Sequence, residues 1–317
     1  MKKSILVTGG LGFVGGRLSR YLSEEFSVLA SSRTTPTAGL LKAHGNVQPI
    51  LHEKLLLREE FPNDIQTVIH LAALNEIDSV KYPSEAISVN IDETRIILEN
   101  AIAAGTEKFI FFSTAHVYAS PLRGIIEEEN LPLPIHPYAI THKAAEDFVL
   151  AAGLQKKIKT IILRLSNSFG APVSPDVNRW TLLANDLCRQ AVEKGRLKLL
   201  SNGCQYRDFV CLSDVERTLS AIVSAGPEHF NRLIYNLGAG KSMRVKEMAE
   251  LIASSFKTMT GKDLAIEFPA GATESKEHEL VFDISRLISE GIQIKNDFKE
   301  EIKQLLDFCF EYFHPID

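Results

Sequence analysis

Through the first half of the chain, short and continuously apolar runs alternate with longer segments whose apolar residues recur at helical spacing. SILVT at 4–8, SVLAS at 27–31, TVIHLA at 67–72, KFIFFS at 108–113 and KTIILRL at 159–165 are too short for helices and too apolar for a sheet with one wet face. Between them, residues 15–23, 85–104 and 138–152 read as helices, and 85–104 sets Ile87, Ile91, Ile97, Leu98 and Ile102 at helical spacing before stopping at Gly105. Strands that are buried on both faces and separated by helices build a parallel sheet covered on both sides. The expected fold class is α/β, a doubly wound, Rossmann-like parallel sheet with ligands at the carboxyl ends of its strands.

After Leu165 the rhythm changes. A Gly/Pro loop at 170–175 leads to a helix at 181–194, a strand and turn at 197–203, a strand at 208–212, a helix at 214–224 and a strand at 233–237. Residues 1–165 are expected to form a dinucleotide-binding domain and 166–317 a smaller substrate-binding region, with elements between about 209 and 235 returning to the main sheet. Residues 299–313 form an amphipathic closing helix.

Composition narrows the function without choosing it. The 317 residues are 45% hydrophobic and 24% charged, with a formal net charge of −5. That balance gives no basic field for nucleic acid or for an anionic membrane, so a phosphate-bearing ligand needs a local cationic site. Cys188, Cys204, Cys211 and Cys309 have neither disulfide nor metal-ligand spacing and read as reduced thiols, so no metal site is expected. The apolar run near the start is three residues long before Thr8, and no stretch approaches the roughly 18 apolar residues of a membrane span. A cytoplasmic protein is expected.

Chemistry first shows itself at TGGLGFVG, where Gly9, Gly12 and Gly15 fall between a strand and a helix. A tight turn needs positive φ, a pyrophosphate needs backbone without Cβ atoms, and the helix must pack closely on the strand. The helix start then presents unpaired N–H groups to the anion, which brings in Phe13 and Val14. At the end of the second strand, where a carboxylate would accept from the ribose of NAD, the chain has Ser31-Ser32-Arg33. Ser32 and Arg33 suit a 2′-phosphate, so NAD(P) is expected with a lean toward NADP. In the other reading Arg33 is solvated, or stacks on adenine with NAD bound.

VTGGLGFVGGRL, IHLAAL, VNIDETRIILENA, FFSTAHVYA, PYAITHKAAE, LRLSNSFGAP, YRDFVCLSDV and YNLGAG occur in the order that resembles the extended short-chain dehydrogenase/reductase family, in its nucleotide-sugar epimerase, dehydratase and reductase branch. The resemblance implies that Thr114 bonds the reacting hydroxyl and that Tyr138 is the general base or acid. It also implies cofactor contacts from Leu71, Ala72, Ala73 and Asn90, and a nucleotide-sugar substrate. A tyrosine of ordinary pKa near 10 is a poor base at neutral pH unless a positive charge stabilises its phenolate. Family members place a lysine four residues after the tyrosine for this purpose.

Here that position is His142. Glu146 keeps the family's spacing of eight from Tyr138, so nothing is inserted. At 100° per residue, His142 lies roughly 40° from Tyr138 and Lys143 roughly 140° away. Three readings follow: His142 holds the ribose or a water with less electrostatic help, a bulge lets Lys143 reach in, or the protein binds nucleotide with little turnover. Dehydrating relatives carry Asp-Glu directly after the catalytic Thr, whereas this chain has Ala115-His116, so 4,6-dehydration is not expected. Relatives often contact adenine with an Asp near Ile50-Leu51-His52, which this chain lacks.

On the substrate side, the resemblance assigns Asn167 and Arg207 to the nucleotide diphosphate, against bland readings as a loop cap and as a surface or Asp208-paired cation. Arg179 and Trp180 either face the sugar or base, or pack. His116 is a candidate for substrate contact, Lys276 for phosphate, and Asp214 for a helix cap, while His70 reads as a satisfied core histidine. The helices at 88–104 and 138–152 resemble those with which relatives form a homodimer. The expected activity is hydride transfer at C4 of a nucleotide-bound hexose, by epimerisation or net oxidation. The alternatives are an NADPH-dependent 4-keto reductase and a nucleotide-binding protein of weak turnover.

Overall fold

Side chains alternate across a strand, so apolar residues at successive positions must find cores on both faces of a sheet. In the computed structural model, which describes residues 2–177, 179–226, 228–269 and 278–313, that is the arrangement reached. In chain order the elements are β1 (Ser4–Thr8), α1 (Phe13–Leu22), β2 (Ser27–Ser32), α2 (Ala38–His44), β3 (Gln48–Leu51), β4 (Thr67–His70) and α3 (Glu76–Lys81). A helical stretch follows in three parts: α4 (Pro83–Ile87), a π-helical turn (Ser88–Glu93) and α5 (Thr94–Ala103). Next come β5 (Lys108–Thr114), β6 (Gly124–Ile126), α6 (Pro137–Leu154), β7 (Lys159–Leu165) and β8 (Asn167–Phe169). The remainder holds α7 (Leu183–Lys194), β9 (Arg196–Lys198), β10 (Tyr206–Cys211), α8 (Leu212–Ser224), β11 (Ile234–Leu237), β12 (Ser242–Arg244), α9 (Val245–Thr260), β13 (Ala265–Glu267), β14 (Leu280–Phe282), α10 (Ser285–Ser289) and α11 (Phe298–Tyr312).

Seven strands form one parallel sheet in the order β11-β7-β5-β4-β1-β2-β3. Ile5 and Val7 of β1 join a core with Leu18 and Leu22 of α1 and Val215 and Leu219 of α8. Leu6, between them, faces the opposite core with Ile97 and Leu98 of α5 and Ala145 and Val149 of α6. The order reverses between β1 and β4, which opens a crevice at the carboxyl edge. A separate core, with Leu187, Met248, Ile252 and Leu305, binds α7, α9 and α11 together.

β11 joins the main sheet beside β7, whereas β10 pairs with β8 and β12 in a small sheet of its own. The expected single helix at 85–104 is interrupted by the π turn, because Asn90 is turned inward there to bond other elements. Strand 67–72 ends at His70, since the N–H groups of Leu71 and Ala72 both donate to the Thr8 hydroxyl at 3.1 Å. Asp214 is not a helix cap: it lies inside α8, fully buried, and accepts from the Lys295 and Asn296 N–H groups at 2.8 and 3.0 Å. It pins the loop ahead of α11, a long-range role with no local signature.

Candidate active site

β1 delivers the chain to the crevice, and the turn after it is set by glycine. Gly9 has φ +63°, and the Gly12 N–H donates to its carbonyl at 3.0 Å, closing a tight loop before α1. A Cβ on Gly15 would sit 2.2 Å from the Gly9 oxygen, so strand and helix approach as closely as glycine permits. Gly12 is the N-cap residue and the first helical bond runs from Gly16 to Gly12, leaving the Phe13, Val14 and Gly15 N–H groups without partners inside the helix.

The floor of this loop is a chain of oriented polar groups. Gly9 N–H donates to Ser31 Oγ at 3.1 Å, Ser31 meets His52 Nδ1 at 3.1 Å, and His52 Nε2 meets Glu93 at 3.1 Å. A carboxylate only accepts, so Nε2 carries the hydrogen and Nδ1 accepts from the Ser31 hydroxyl. Ser31, His52 and Glu93 escape a sequence reading because three elements bring them together. The absence of the usual Asp near His52 was the available signal. Ser32 and exposed Arg33 line the crevice, and Arg33 makes no ion pair among the described residues.

His70 is a satisfied core histidine. Its Nδ1 bonds Thr8 Oγ1 at 2.8 Å and its Nε2 bonds Thr94 Oγ1 at 2.9 Å, and the Thr94 hydroxyl in turn donates to the Asn90 carbonyl. Burial pushes its pKa down to about 3. The Asn90 side chain accepts from Leu74 N–H at 2.6 Å and donates to Thr141 at 2.9 Å, fixing the 71–74 strand exit against α6. The π turn thus serves the site, as such bulges commonly do.

α6 brings in the second half of the site. Pro137 starts it, and it runs unbroken to Leu154. Tyr138 and His142 lie one turn apart with ring centroids separated by 4.1 Å, and His142 Nδ1 donates to the Tyr138 carbonyl at 2.8 Å. The donating Nδ1–H leaves Nε2 as an acceptor. Burial lowers the His142 pKa to about 4, so the ring is neutral at pH 7. Lys143 does not reach in: its ammonium bonds Asp147 at 2.5 Å, one turn along on the surface, and the helix has no bulge to redirect it. Burial pushes Tyr138 up to about 12, outweighing the nearby charge of Arg179.

One continuous cleft of about 2080 Å³ is lined by Gly9, Gly12, Phe13, Val14 and Gly15, by Ser32 and Arg33, and by Leu71, Ala72 and Ala73. Thr114, His116, Tyr138, His142, Asn167, Arg179 and Arg207 line it too. Asn90 stands behind the wall instead. Pockets for one small ligand run to roughly 1,000 Å³, so this space suits two side by side. Arg207 is partly enclosed, makes no ion pair among the described residues and is not paired with Asp208, which accepts from Ser166 and Ala239. Asn167 donates to the Asp208 carbonyl at 2.9 Å. Trp180 packs rather than facing ligand, stacked on Phe308 and edge-on to Phe313. Lys276 lies outside the described residues.

The residues fit a dinucleotide. The loop accepts backbone approach where Cβ atoms would obstruct it, and Ser113 Oγ, buried on the cleft wall, has no hydrogen-bond partner. Among the described residues no group of His, Cys, Asp or Glu is arranged to hold a metal ion.

The profile of the family described as NAD dependent epimerase/dehydratase matches residues 5–238. Mouse dTDP-D-glucose 4,6-dehydratase is 24% identical, with 98% of this chain and 90% of that protein covered. UDP-arabinose 4-epimerase 1 of Arabidopsis thaliana is 27% identical over 83% of this chain and 69% of its own length. The structure of MoeE5 in complex with UDP-glucose and NAD superposes with a TM-score of 0.76 at 26% identity, covering 96% of this chain and 98% of that one.

Proposed function

The chain belongs to the NAD dependent epimerase/dehydratase family, and from that premise we propose that it is an NAD(P)-dependent epimerase or oxidoreductase acting on a nucleotide-sugar at C4 of the hexose. The observation that carries this reading is that the glycine loop, Thr114 with Tyr138, and the unpaired Arg207 line a single cleft. Arg207 and Asn167 hold the diphosphate, where a guanidinium fork matches phosphate oxygens. Thr114 orients the reacting hydroxyl, and Tyr138, in its phenolate form, takes that proton and later returns one. The cofactor, when bound, supplies the hydride acceptor and donor. His142, neutral and accepting through Nε2, holds a ribose hydroxyl or a water. Leu71, Ala72 and Ala73 form the wall along the cofactor, with Asn90 bracing it from behind.

The MoeE5 structures hold NAD with UDP-glucose or UDP-glucuronic acid, which supports the cofactor class and a nucleotide-sugar partner. A preference for NADP rests on this chain alone, on Ser32 and Arg33. Relatives at this identity include 4,6-dehydratases, so the family leaves dehydration open. Ala115-His116 argues against it, having no carboxyl acid and base after Thr114. Exposed Ile140 and Phe148 on α6 support a homodimer through α6 and the helical stretch at 88–104.

A second reading, a nucleotide-binding protein of weak turnover, is favoured by the neutral His142 beside a high-pKa Tyr138. Purified protein incubated with UDP-, dTDP- and GDP-hexoses and either cofactor separates the two. C4 epimers, or reduced nicotinamide formed with one sugar, are expected. Bound cofactor with no turnover of any of them would support the second reading instead.

A further inference from the structure

Tyr138 has no cation on its own helix, since His142 is neutral and Lys143 points to Asp147. The cleft offers one from a different element. Arg179, in the loop ahead of α7, donates from Nη1 to Glu76 Oε2 at 2.9 Å. Glu76 opens α3, which packs against α6, and two residues before it Leu74 is tied through Asn90 to Thr141, whose hydroxyl donates to the Tyr138 carbonyl in the first turn of that helix. Both partners are half-buried and line the cleft. The pair therefore spans the cleft, with one end on the segment leading into α7 and the other on the sheet side.

Two charges act on the Tyr138 phenol: Arg179 favours its ionised form and Glu76 opposes it. His142 from α6 is neutral there, while His116, His136 and Arg207 line the same cleft and His116 also feels Glu76. Resting on the proposed role of Tyr138 as proton carrier, we infer that Arg179 provides Tyr138 with the positive charge missing from α6, and that Glu76 tempers it. Arg179 is then a positioning residue. Its charge helps most when the proton leaves the phenol.

The test needs no sugar. A difluorinated tyrosine at position 138, whose phenol ionises at lower pH than that of tyrosine, is titrated by its phenolate absorbance in the full-length protein. An opposite charge nearby shifts a pKa by roughly 1–3 units. Because Arg179 is part-solvated, Arg179→Gln is expected to raise the midpoint by about one unit, at the low end of that range. Arg179→Lys should largely restore it, and Glu76→Gln should lower it. Circular dichroism checks that each variant is folded. An unmoved midpoint in Arg179→Gln overturns the inference, as does an unmoved or raised one in Glu76→Gln. Tyr138→Phe, assayed with UDP-hexoses, keeps the two claims apart. If it turns over at the unmutated rate while the midpoints shift as stated, the proton-carrier reading fails and the electrostatic assignment stands.

Discussion

His142 carries the main tension at the scale of single residues. A neutral imidazole gives a phenolate no Coulombic help, and its Nδ1–H is already committed to the Tyr138 carbonyl. A lysine there would place a cation near a phenol that burial holds at about 12. His142→Lys is therefore expected to raise turnover and to move the acidic limb of the pH–rate profile, where the phenol must ionise, downward. Unchanged rate and profile would mean that position 142 is not the lysine's station. Arg33 is the other decisive residue. If its free guanidinium meets a 2′-phosphate, Arg33→Ala should weaken NADP binding by about 1.5–3 kcal/mol, the worth of a charge-assisted bond. NAD binding should change little, and calorimetric titration with both cofactors reads the difference.

Among the elements, α6 must be held in register for Tyr138 and His142 to face the cleft. Glu146, two turns further along, accepts from Arg164 of β7 at 2.8 and 2.9 Å, with both side chains almost fully buried. The Tyr118 ring covers the guanidinium at 4.6 Å. Breaking such a pair leaves an unpaired buried charge, so Glu146→Gln is expected to cost about 3–5 kcal/mol in urea unfolding. Glu146 was legible in the sequence as a spacing marker, but its partner was not, because Arg164 belongs to a strand that meets α6 only in the packed state. The π turn is similar: its apolar spacing is that of an ordinary helix, and only the bonds from Asn90 to Leu74 and Thr141 reveal why it widens.

For the molecule as a whole, buried neutral histidines tie stability to pH. His142 and His70 are held at about 4 and about 3, below the unfolded value near 6.5. As pH falls below 6.5 the unfolded chain binds protons first, and stability is lost until the folded values are reached. Each buried histidine contributes up to about 1.4 kcal/mol per pH unit. Asp208, raised to about 6 by burial, works in the opposite sense, gaining stability as pH falls through that value. The clean readout is therefore a difference: between pH 6 and pH 5, His142→Gln should lose less stability than the unmutated protein in urea titrations. At the same scale, Ile140→Glu should convert a dimer to a monomer in sedimentation analysis if α6 forms the contact.

The sequence by itself determined the α/β class, the glycine turn, the helical register that turns His142 toward Tyr138, and the absence of a carboxylate after β2. These depend on periods of two and 3.6 residues and on local backbone geometry, all written in neighbouring positions. Tertiary structure alone decided that Arg207 has no ion pair among the described residues, that Trp180 packs, that Asp214 pins a distant loop, and that Ser31, His52 and Glu93 support the glycine turn. It also decided that Arg179 meets Glu76 across the cleft, 103 positions away in the chain. Which charges are buried, and what faces them, is fixed by contacts between elements far apart in sequence, and local pattern carries no record of those.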